Sequence, residues 1–290
     1  MPAKVEKDAL TGTETTGHEW DGIKELNTPL PKWWLYTFYA TILFSVVWWI
    51  LYPAWPSLTG YTKGILGSNQ RLEIEQRLAE ARARQQVWLD RIAAKSPAEI
   101  KADPDLARFA MVGGAAAFGT NCAPCHGAGG AGQGFFPALV DDEWIWGGTL
   151  EEIEYSIRHG IRNADDPEAR ASAMPAFGTD GILDRGQIRD VTQFVLSLSG
   201  RASDPAAAER GAPLYAENCA SCHGERGEGM AALGAPRLDD AIWLYGGTAQ
   251  EIEAQIWRPR LGVMPPWQGR LTDETIKMLT VYVHGLGGGQ

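Results

Sequence analysis

Four cysteines are the residues in this chain whose type and spacing most clearly point to chemistry. All four fall in two Cys-x-x-Cys-His runs, at residues 122–126 and 219–223. Two thiols at this spacing can reach the two vinyl groups of one porphyrin, and the adjacent histidine then lies under the iron as an axial ligand. The runs therefore predict two covalently attached haem c groups. The residues that would bind them are Cys122, Cys125 and His126 in the first run and Cys219, Cys222 and His223 in the second.

Three other uses of four cysteines fit this pattern less well. Zinc binding is disfavoured because the two pairs lie 97 residues apart and each is followed by histidine. A thioredoxin-like site would need a βαβ setting, whereas the surrounding sequence is typical of helices. Two structural disulfides would leave the two histidines unexplained.

The cysteine runs belong to a twofold repeat that occupies the C-terminal two-thirds of the chain. Besides the runs themselves, a Gly-Gly-Thr sequence and a Met-Pro pair occur once in each unit. An Asp-Pro pair opens each unit, at residues 103–104 and 204–205, with Asp suited to the N-cap of a helix and Pro to its first position. An apolar helix is predicted to close each unit, over 188–198 and 276–286. The first unit is about nine residues longer, through residues 162–172.

The sixth iron ligand is predicted to be a methionine in both units. Met174 and Met264 follow the histidines of the two runs by 48 and 41 residues, and they alone among six methionines hold equivalent repeat positions. A methionine thioether opposite histidine is common in cytochromes c and raises the potential. His159 is a rival ligand for the first haem, but it has no counterpart in the second unit. The sequence leaves open whether each methionine ligates the iron of its own unit or of the other.

Other side chains are expected to support the haem sites. The units resemble class I cytochromes c, in which a proline carbonyl accepts the N–H of the haem histidine, and Pro137 and Pro236 match that position. Gly114 and Gly211 are expected to let the first helix of a unit cross the last one closely. Three tryptophans could line a haem edge, bond a propionate or simply pack in the core: Trp144, Trp146 and Trp243.

One segment, residues 33–52, has the length and composition of a membrane span. It carries no charged side chain, and twenty residues span about 30 Å as a helix. The preceding tail is too long and too acidic for a cleaved signal peptide. Basic residues on the two sides nearly balance, so they do not orient the span. Because haem c is attached outside the cytoplasm, we expect a cytoplasmic tail and periplasmic haem domains at a bacterial inner membrane.

The charge of the chain argues against nucleic acid as a partner. The net charge is −10, and the acidity lies in the C-terminal two-thirds. That disfavours nucleic acid, which selects basic surfaces. The acidic surface could attract a basic protein partner, or it could serve only to keep a periplasmic domain soluble, and the sequence leaves both interpretations open.

These observations predict an all-α chain, with one N-terminal transmembrane helix followed by two tandem class I cytochrome c domains. A further helix is predicted over residues 72–95, between the anchor and the repeats. The predicted order is a cytoplasmic tail at 1–32, an anchor at 33–55, a periplasmic linker and helix at 56–103, and cytochrome c domains at 104–200 and 201–290.

The tail sequence HEWDGIKELNTPLPKWW at residues 18–34, the span ending at Tyr52-Pro53 and the two haem repeats together resemble the CcoP/FixP dihaem subunit of cbb3-type cytochrome c oxidase. The resemblance implies an electron-transfer subunit of the respiratory chain that is not itself catalytic. It implies partners in the same membrane: a monohaem cytochrome c subunit and the haem–copper subunit that reduces oxygen and takes part in proton transport. A periplasmic or membrane-bound cytochrome c would be the donor.

Other function classes remain possible at this stage. A dihaem peroxidase would need an open coordination position, which two well-placed methionines oppose. The two haem repeats also suit a free-standing, membrane-anchored dihaem electron shuttle or the cytochrome subunit of a dehydrogenase. Purification in gentle detergent, with or without a haem–copper subunit, would discriminate these from an oxidase subunit. A haem-based sensor would need an output domain.

Overall fold

A computed structural model of the protein describes residues 4–287, and the chain divides into two compact units between Arg82 and Ala83. The N-terminal unit holds two short hairpins and a long apolar helix. The C-terminal unit holds the two repeats. The fold is helix-rich, as predicted, with strands confined to the N-terminal unit.

The tail forms a β-hairpin that the sequence analysis did not assign. Its strands are β1 (Thr15–Trp20) and β2 (Ile23–Leu26), which pair antiparallel. Asp21 and Gly22 form the two-residue turn, with φ of 51° and 85°. Positive φ at both central residues is the geometry of a tight hairpin turn, and Asp-Gly is a strong sequence signal for it.

The predicted span is confirmed as a helix, α1 (Lys32–Leu51). Within the described residues it is the one helix long and apolar enough to cross a membrane, and none of its side chains is buried in the protein. A membrane-spanning helix needs about 20 apolar residues, and its outward side chains meet lipid. A second small hairpin follows, formed by β3 (Pro56–Ser57) and β4 (Gly60–Tyr61).

The helix predicted before the repeats is also present, as α2 (Gln70–Ala93), and α3 (Pro97–Ala102) follows it. In the C-terminal unit, Ile92 at the end of α2 is fully buried. The ammonium of Lys277 donates to the carbonyl oxygens of Ala93 and Lys95, both at 2.8 Å. These bonds satisfy carbonyl groups that the end of a helix leaves without partners.

Each repeat contributes four helices, and both predicted helix starts are confirmed. Asp103 and Asp204 accept hydrogen bonds from the first turn of the helices they precede, and a proline follows each. The first repeat contains α4 (Pro104–Asn121), α5 (Ala123–His126), α6 (Leu150–His159) and α7 (Arg185–Leu198). The second contains α8 (Pro205–Asn218), α9 (Ala220–His223), α10 (Ala249–Trp257) and α11 (Asp273–His284).

The helices pack across the repeats. The last helix of the first repeat, α7, packs along the first helix of the second, α8. The last helix of the chain, α11, packs on α4 and α6 of the first repeat. Residues 199–204 are a short connection between α7 and α8, and helices joined by a short loop pack as antiparallel neighbours. The sequence repeats at 104–200 and 201–290 therefore each supply part of two shared cores.

Two glycines permit the close crossings predicted for them, although each crossing joins different repeats. A Cβ on Gly114 would overlap the Met278 carbonyl of α11, and one on Gly211 would overlap the Asp190 carbonyl of α7. Aromatic rings flank both crossings. Their centroids are 5.4 Å apart for Phe118 and Tyr282 and 4.9 Å apart for Phe194 and Tyr215.

Candidate haem sites

The first Cys-x-x-Cys-His run begins where α4 ends. Cys122 caps that helix through its backbone N–H, and the single turn α5 brings Cys125 and His126 onto the same loop. The Nδ1 atom of His126 lies 3.0 Å from the carbonyl oxygen of Pro137. A carbonyl can only accept, so Nδ1 carries the proton and Nε2 is left with its lone pair. This is the orientation that an iron ligand needs.

The second run repeats this arrangement. Cys219 caps α8, and the Nδ1 atom of His223 lies 2.9 Å from the carbonyl oxygen of Pro236. Burial lowers the pKa of both His126 and His223, against a smaller opposing effect of the carbonyl bond. Both imidazoles are therefore held neutral, as metal ligation requires.

The four thiols are free, and none forms a disulfide in the described part of the chain. Burial, with a smaller effect of the neighbouring thiol, raises the pKa of both Cys122 and Cys219 to about 11. Cys122 packs against one core and Cys219 belongs to another, so the two cysteine pairs do not converge on a single four-thiol zinc site. Cys125 and Cys222 are exposed at the protein surface. The arrangement suits thioether attachment better than zinc binding.

The two methionines lie in the opposite cores from their own runs. Met264, from the second repeat, packs against the core that also includes Cys122. Met174, from the first repeat, packs against the core that contains Cys219. Each methionine therefore shares a core with the first cysteine of the other repeat's run. This arrangement follows from the cross-repeat packing of α7 and α11, since each methionine precedes one of those helices.

The remaining histidines lie elsewhere. His159 ends α6 with Nδ1 3.0 Å from Asp166 Oδ2, which makes it a poor rival for the first iron. His284 is buried in α11, with Nδ1 3.2 Å from the Lys101 ammonium. His18 lies on β1.

The tryptophans at equivalent positions differ in their hydrogen bonds. The indole N–H of Trp243 donates to the Asp240 carbonyl at 3.2 Å, whereas the buried indole N–H of Trp144 has no partner within the described residues. An orphaned buried donor is rare and points to a group that the protein atoms do not supply. A haem propionate beside the Cys122 core would accept it. The residues present therefore fit haem c.

Trp146, in contrast, joins the two repeats. Its ring packs against Gly234, where a Cβ would overlap it, and the Arg162 and Arg170 guanidinium groups lie within 5.7 and 5.5 Å of the ring centroid. No repeat pattern predicts this contact, because the arginines belong to the longer segment of the first repeat, which has no counterpart in the second.

A pair of carboxyl groups also links the repeats. Burial, followed by the Asp240 carboxyl, raises the pKa of Glu143 to about 7, while Arg237 opposes the rise. Asp240 Oδ2 is buried and has no hydrogen-bond partner within the described residues. A proton retained on Glu143 can be donated to the Asp240 carboxyl group and removes the repulsion between the two charges.

Family comparisons agree with this geometry. Residues 12–59 match the N-terminal domain of cytochrome oxidase-cbb3, FixP. Residues 111–199 match cytochrome c, and residues 206–283 match cytochrome c oxidase, cbb3-type, subunit III. The matches account for the tail, the apolar helix and both repeats.

Full-length relatives give the same result. The CcoP subunit of the cbb3-type cytochrome c oxidase from Azospirillum brasilense is 54% identical over 99% of this chain and 100% of its own. The CcoP subunit from Cereibacter sphaeroides is 48% identical over the whole of both chains, and the FixP subunit from Sinorhizobium medicae is 50% identical over 98% of this chain and 97% of its own. The chain belongs to the CcoP/FixP family, the electron-transfer cytochrome c subunits of cbb3-type cytochrome c oxidase.

Proposed function

We propose that this subunit holds two haem c groups whose methionine ligands are exchanged between the repeats. Met264 would ligate the iron bound by His126, and Met174 the iron bound by His223. The observation that carries the proposal is that Met264 and Cys122 pack against one core, whereas Met174 packs against the core that contains Cys219. When bound, haem iron supplies one-electron chemistry by alternating between its ferrous and ferric states.

The chain's own residues have distinct tasks in this proposal. Cys122, Cys125, Cys219 and Cys222 would hold the two porphyrins covalently. The carbonyls of Pro137 and Pro236 fix the imidazole planes and keep Nδ1 protonated. A methionine thioether at each iron would occupy the coordination position left by histidine and would keep oxygen and peroxide from binding there. The subunit is thereby suited to electron transfer and opposed to catalysis at its own haems.

Within the oxidase, we propose that the subunit accepts electrons from a cytochrome c donor. The electrons would pass to a membrane-anchored monohaem subunit and then to the haem–copper subunit. The resemblance of the whole chain to CcoP and FixP subunits supports this path. The net charge of −10 suits a donor with a basic docking face, because opposite charge accelerates encounter.

The proposed topology has the N-terminal tail in the cytoplasm, one span through the inner membrane and both haem domains in the periplasm. The supporting observations are the apolar helix α1 and the two haem-binding runs that follow it. Haem c attachment on the periplasmic side would require this orientation.

One purification tests the proposal. A tagged chain isolated in mild detergent should bring down a haem–copper subunit, give a band of its own mass that retains haem under denaturing conditions, and contain two haem c per chain. An optical redox titration of the isolated subunit should then resolve two one-electron transitions. Isolation without a haem–copper subunit would favour a free-standing shuttle or a dehydrogenase subunit, and one haem per chain would overturn the dihaem proposal.

A further inference from the structure

His159, Asp166 and Glu168 form a cluster in the longer segment of the first repeat that the haem sites do not use. Their ligand atoms all lie within 4.8 Å of one another. His159 Nδ1 is 3.0 Å from Asp166 Oδ2 and 3.3 Å from Glu168 Oε2. One imidazole nitrogen carries at most one proton, so it cannot donate a straight hydrogen bond to both carboxylates. A cation held between the three groups would satisfy both carboxylates at once.

The spacing fits a small divalent ion. Zinc binds imidazole nitrogen and carboxylate oxygen at about 2.0–2.2 Å in tetrahedral geometry, which places neighbouring ligand atoms about 3.3 Å apart. The two separations from His159 Nδ1 agree with that value. Three protein ligands would leave a fourth position for water, and Glu168, with its side chain 67% exposed, leaves a route from solvent.

The surroundings hold the ligands in place. His159 is 9% exposed and its ring packs on Tyr155, with centroids 4.6 Å apart. The Tyr155 hydroxyl donates to the Glu168 carbonyl at 2.8 Å, and the Glu168 N–H donates to Asp166 Oδ1 at 2.8 Å. Asp166 Oδ2 is thereby turned toward the imidazole. Bonds of this kind orient metal ligands and raise affinity.

The local electrostatics favour a cation. His159 is the last residue of α6, where the helix dipole presents partial negative charge. The nearby arginines bond elsewhere: Arg162 donates to the carbonyls of Gly262 and Ser172, and Arg170 to Ser156 Oγ and the Glu152 carbonyl. The second repeat lacks the whole arrangement, because arginine replaces histidine there and the longer segment is missing.

We propose that His159, Asp166 and Glu168 form a surface-accessible zinc-class metal site in the first repeat. The site would close the loop between α6 and Glu168. A backbone bond already closes the base of that loop, since the Arg170 N–H donates to the Gly160 carbonyl at 3.1 Å. A bound ion stabilises the native state by mass action, so it should also raise resistance to unfolding.

The test uses the full-length chain with both haems attached, in detergent and cleared of metal by a chelator. Equilibrium dialysis against zinc chloride with elemental analysis should give saturable binding of about one zinc per chain. His159→Gln and Glu168→Gln should each weaken zinc binding strongly, because each removes a direct ligand. The loss should exceed the roughly 10–100-fold loss in affinity that follows removal of a residue that only supports a ligand. Glu168 is exposed, so its variant keeps the test valid if His159→Gln folds poorly.

Two matched variants provide the controls. Asp165→Asn removes a neighbouring exposed carboxylate that faces Arg270 instead, and His18→Gln removes an exposed histidine outside the cluster. Both should bind zinc as the parent chain does. Zinc should also raise the urea midpoint of the parent and of both controls, but not of the two ligand variants.

Two results would overturn the proposed site: equal zinc binding in all variants, or no saturable binding in the parent chain. The cluster would then be a hydrogen bond between His159 and a carboxylate, with no metal. Neither readout depends on methionine ligation, so failure here is distinguishable from failure of the proposed function.

Discussion

Met264 and Ile161 exchange two backbone hydrogen bonds of 3.0 Å, each residue donating to the other's carbonyl. The bonds join the methionine of the second repeat to the loop after α6 in the first. Gly160 lies against the same segment, where a Cβ would overlap the Met264 carbonyl. The backbone of the first repeat therefore holds Met264 at the core that Cys122 also packs against, and this contact favours the proposed ligand exchange.

The cross-repeat contact of α4 with α11 predicts opposite effects for two glycine substitutions in one helix. Gly114→Ala should destabilise the protein by about 1–3 kcal/mol, because a Cβ there would overlap the Met278 carbonyl and Tyr282. Gly119→Ala in the same helix has open space around it and should be neutral or stabilising by up to about 1 kcal/mol, through helix propensity. Urea denaturation of both variants measures the difference, and equal free energies of unfolding would contradict the close crossing.

The carboxyl pair between the repeats predicts a pH dependence of stability. The pKa of Glu143 is raised to about 7 in the folded state, from 4.5 for the unperturbed side chain. A raised folded-state pKa means that the folded state binds more protons in this window. Its contribution to stability is therefore present below about pH 4.5 and lost as the pH rises through 7.

Glu143→Gln should remove that contribution to the slope. Urea midpoints measured between pH 4.5 and 8 should fall less steeply with pH for the variant than for the parent. Asp240→Asn should also flatten the curve, because it removes the carboxylate that raises the Glu143 pKa. Parallel curves for parent and Glu143→Gln would show that Glu143 titrates normally.

The unequal hydrogen bonding of Trp144 and Trp243 predicts unequal effects on potential. Trp144→Phe removes a buried N–H that has no protein partner in the described residues and that would donate to a haem propionate. Without that donor, the negative charge of the propionate near the iron is less neutralised, so the midpoint potential of one haem should fall. We expect a fall of up to about 60 mV, which corresponds to a tenfold change in the one-electron redox equilibrium. Trp243→Phe should have the smaller effect, because its N–H donates to the Asp240 carbonyl. A redox titration compares the two, and unchanged potentials in Trp144→Phe would refute the propionate contact.

Local features of the sites were predictable because they depend on short stretches of sequence. His126 meets the carbonyl of Pro137, as the resemblance to class I cytochromes c implied, and Asp103 and Asp204 cap their helices. The hairpin turn at Asp21-Gly22 was also readable from its residue types, although the sequence analysis did not use that signal.

Contacts between distant segments were not predictable in the same way. The repeat suggested two independent domains, whereas the short connection at residues 199–204 makes α7 and α8 neighbours and places Met174 with Cys219. The short connection between α7 and α8 predicts that these two helices pack together. The repeat instead suggested that each helix packs within its own unit. The approach of Glu143 to Asp240, and of Trp146 to Gly234, depends on packing between the repeats, for which no local pattern exists.

The most direct test of the exchanged ligands uses a chain that retains only the first haem. Cys219→Ala combined with Cys222→Ala should leave haem c attached only at Cys122 and Cys125. In that background Met264→Leu should abolish the far-red absorption band of methionine-ligated ferric haem, while Met174→Leu should leave it intact. Loss of the band in Met174→Leu, with retention in Met264→Leu, would contradict the exchange and assign each methionine to the haem of its own repeat.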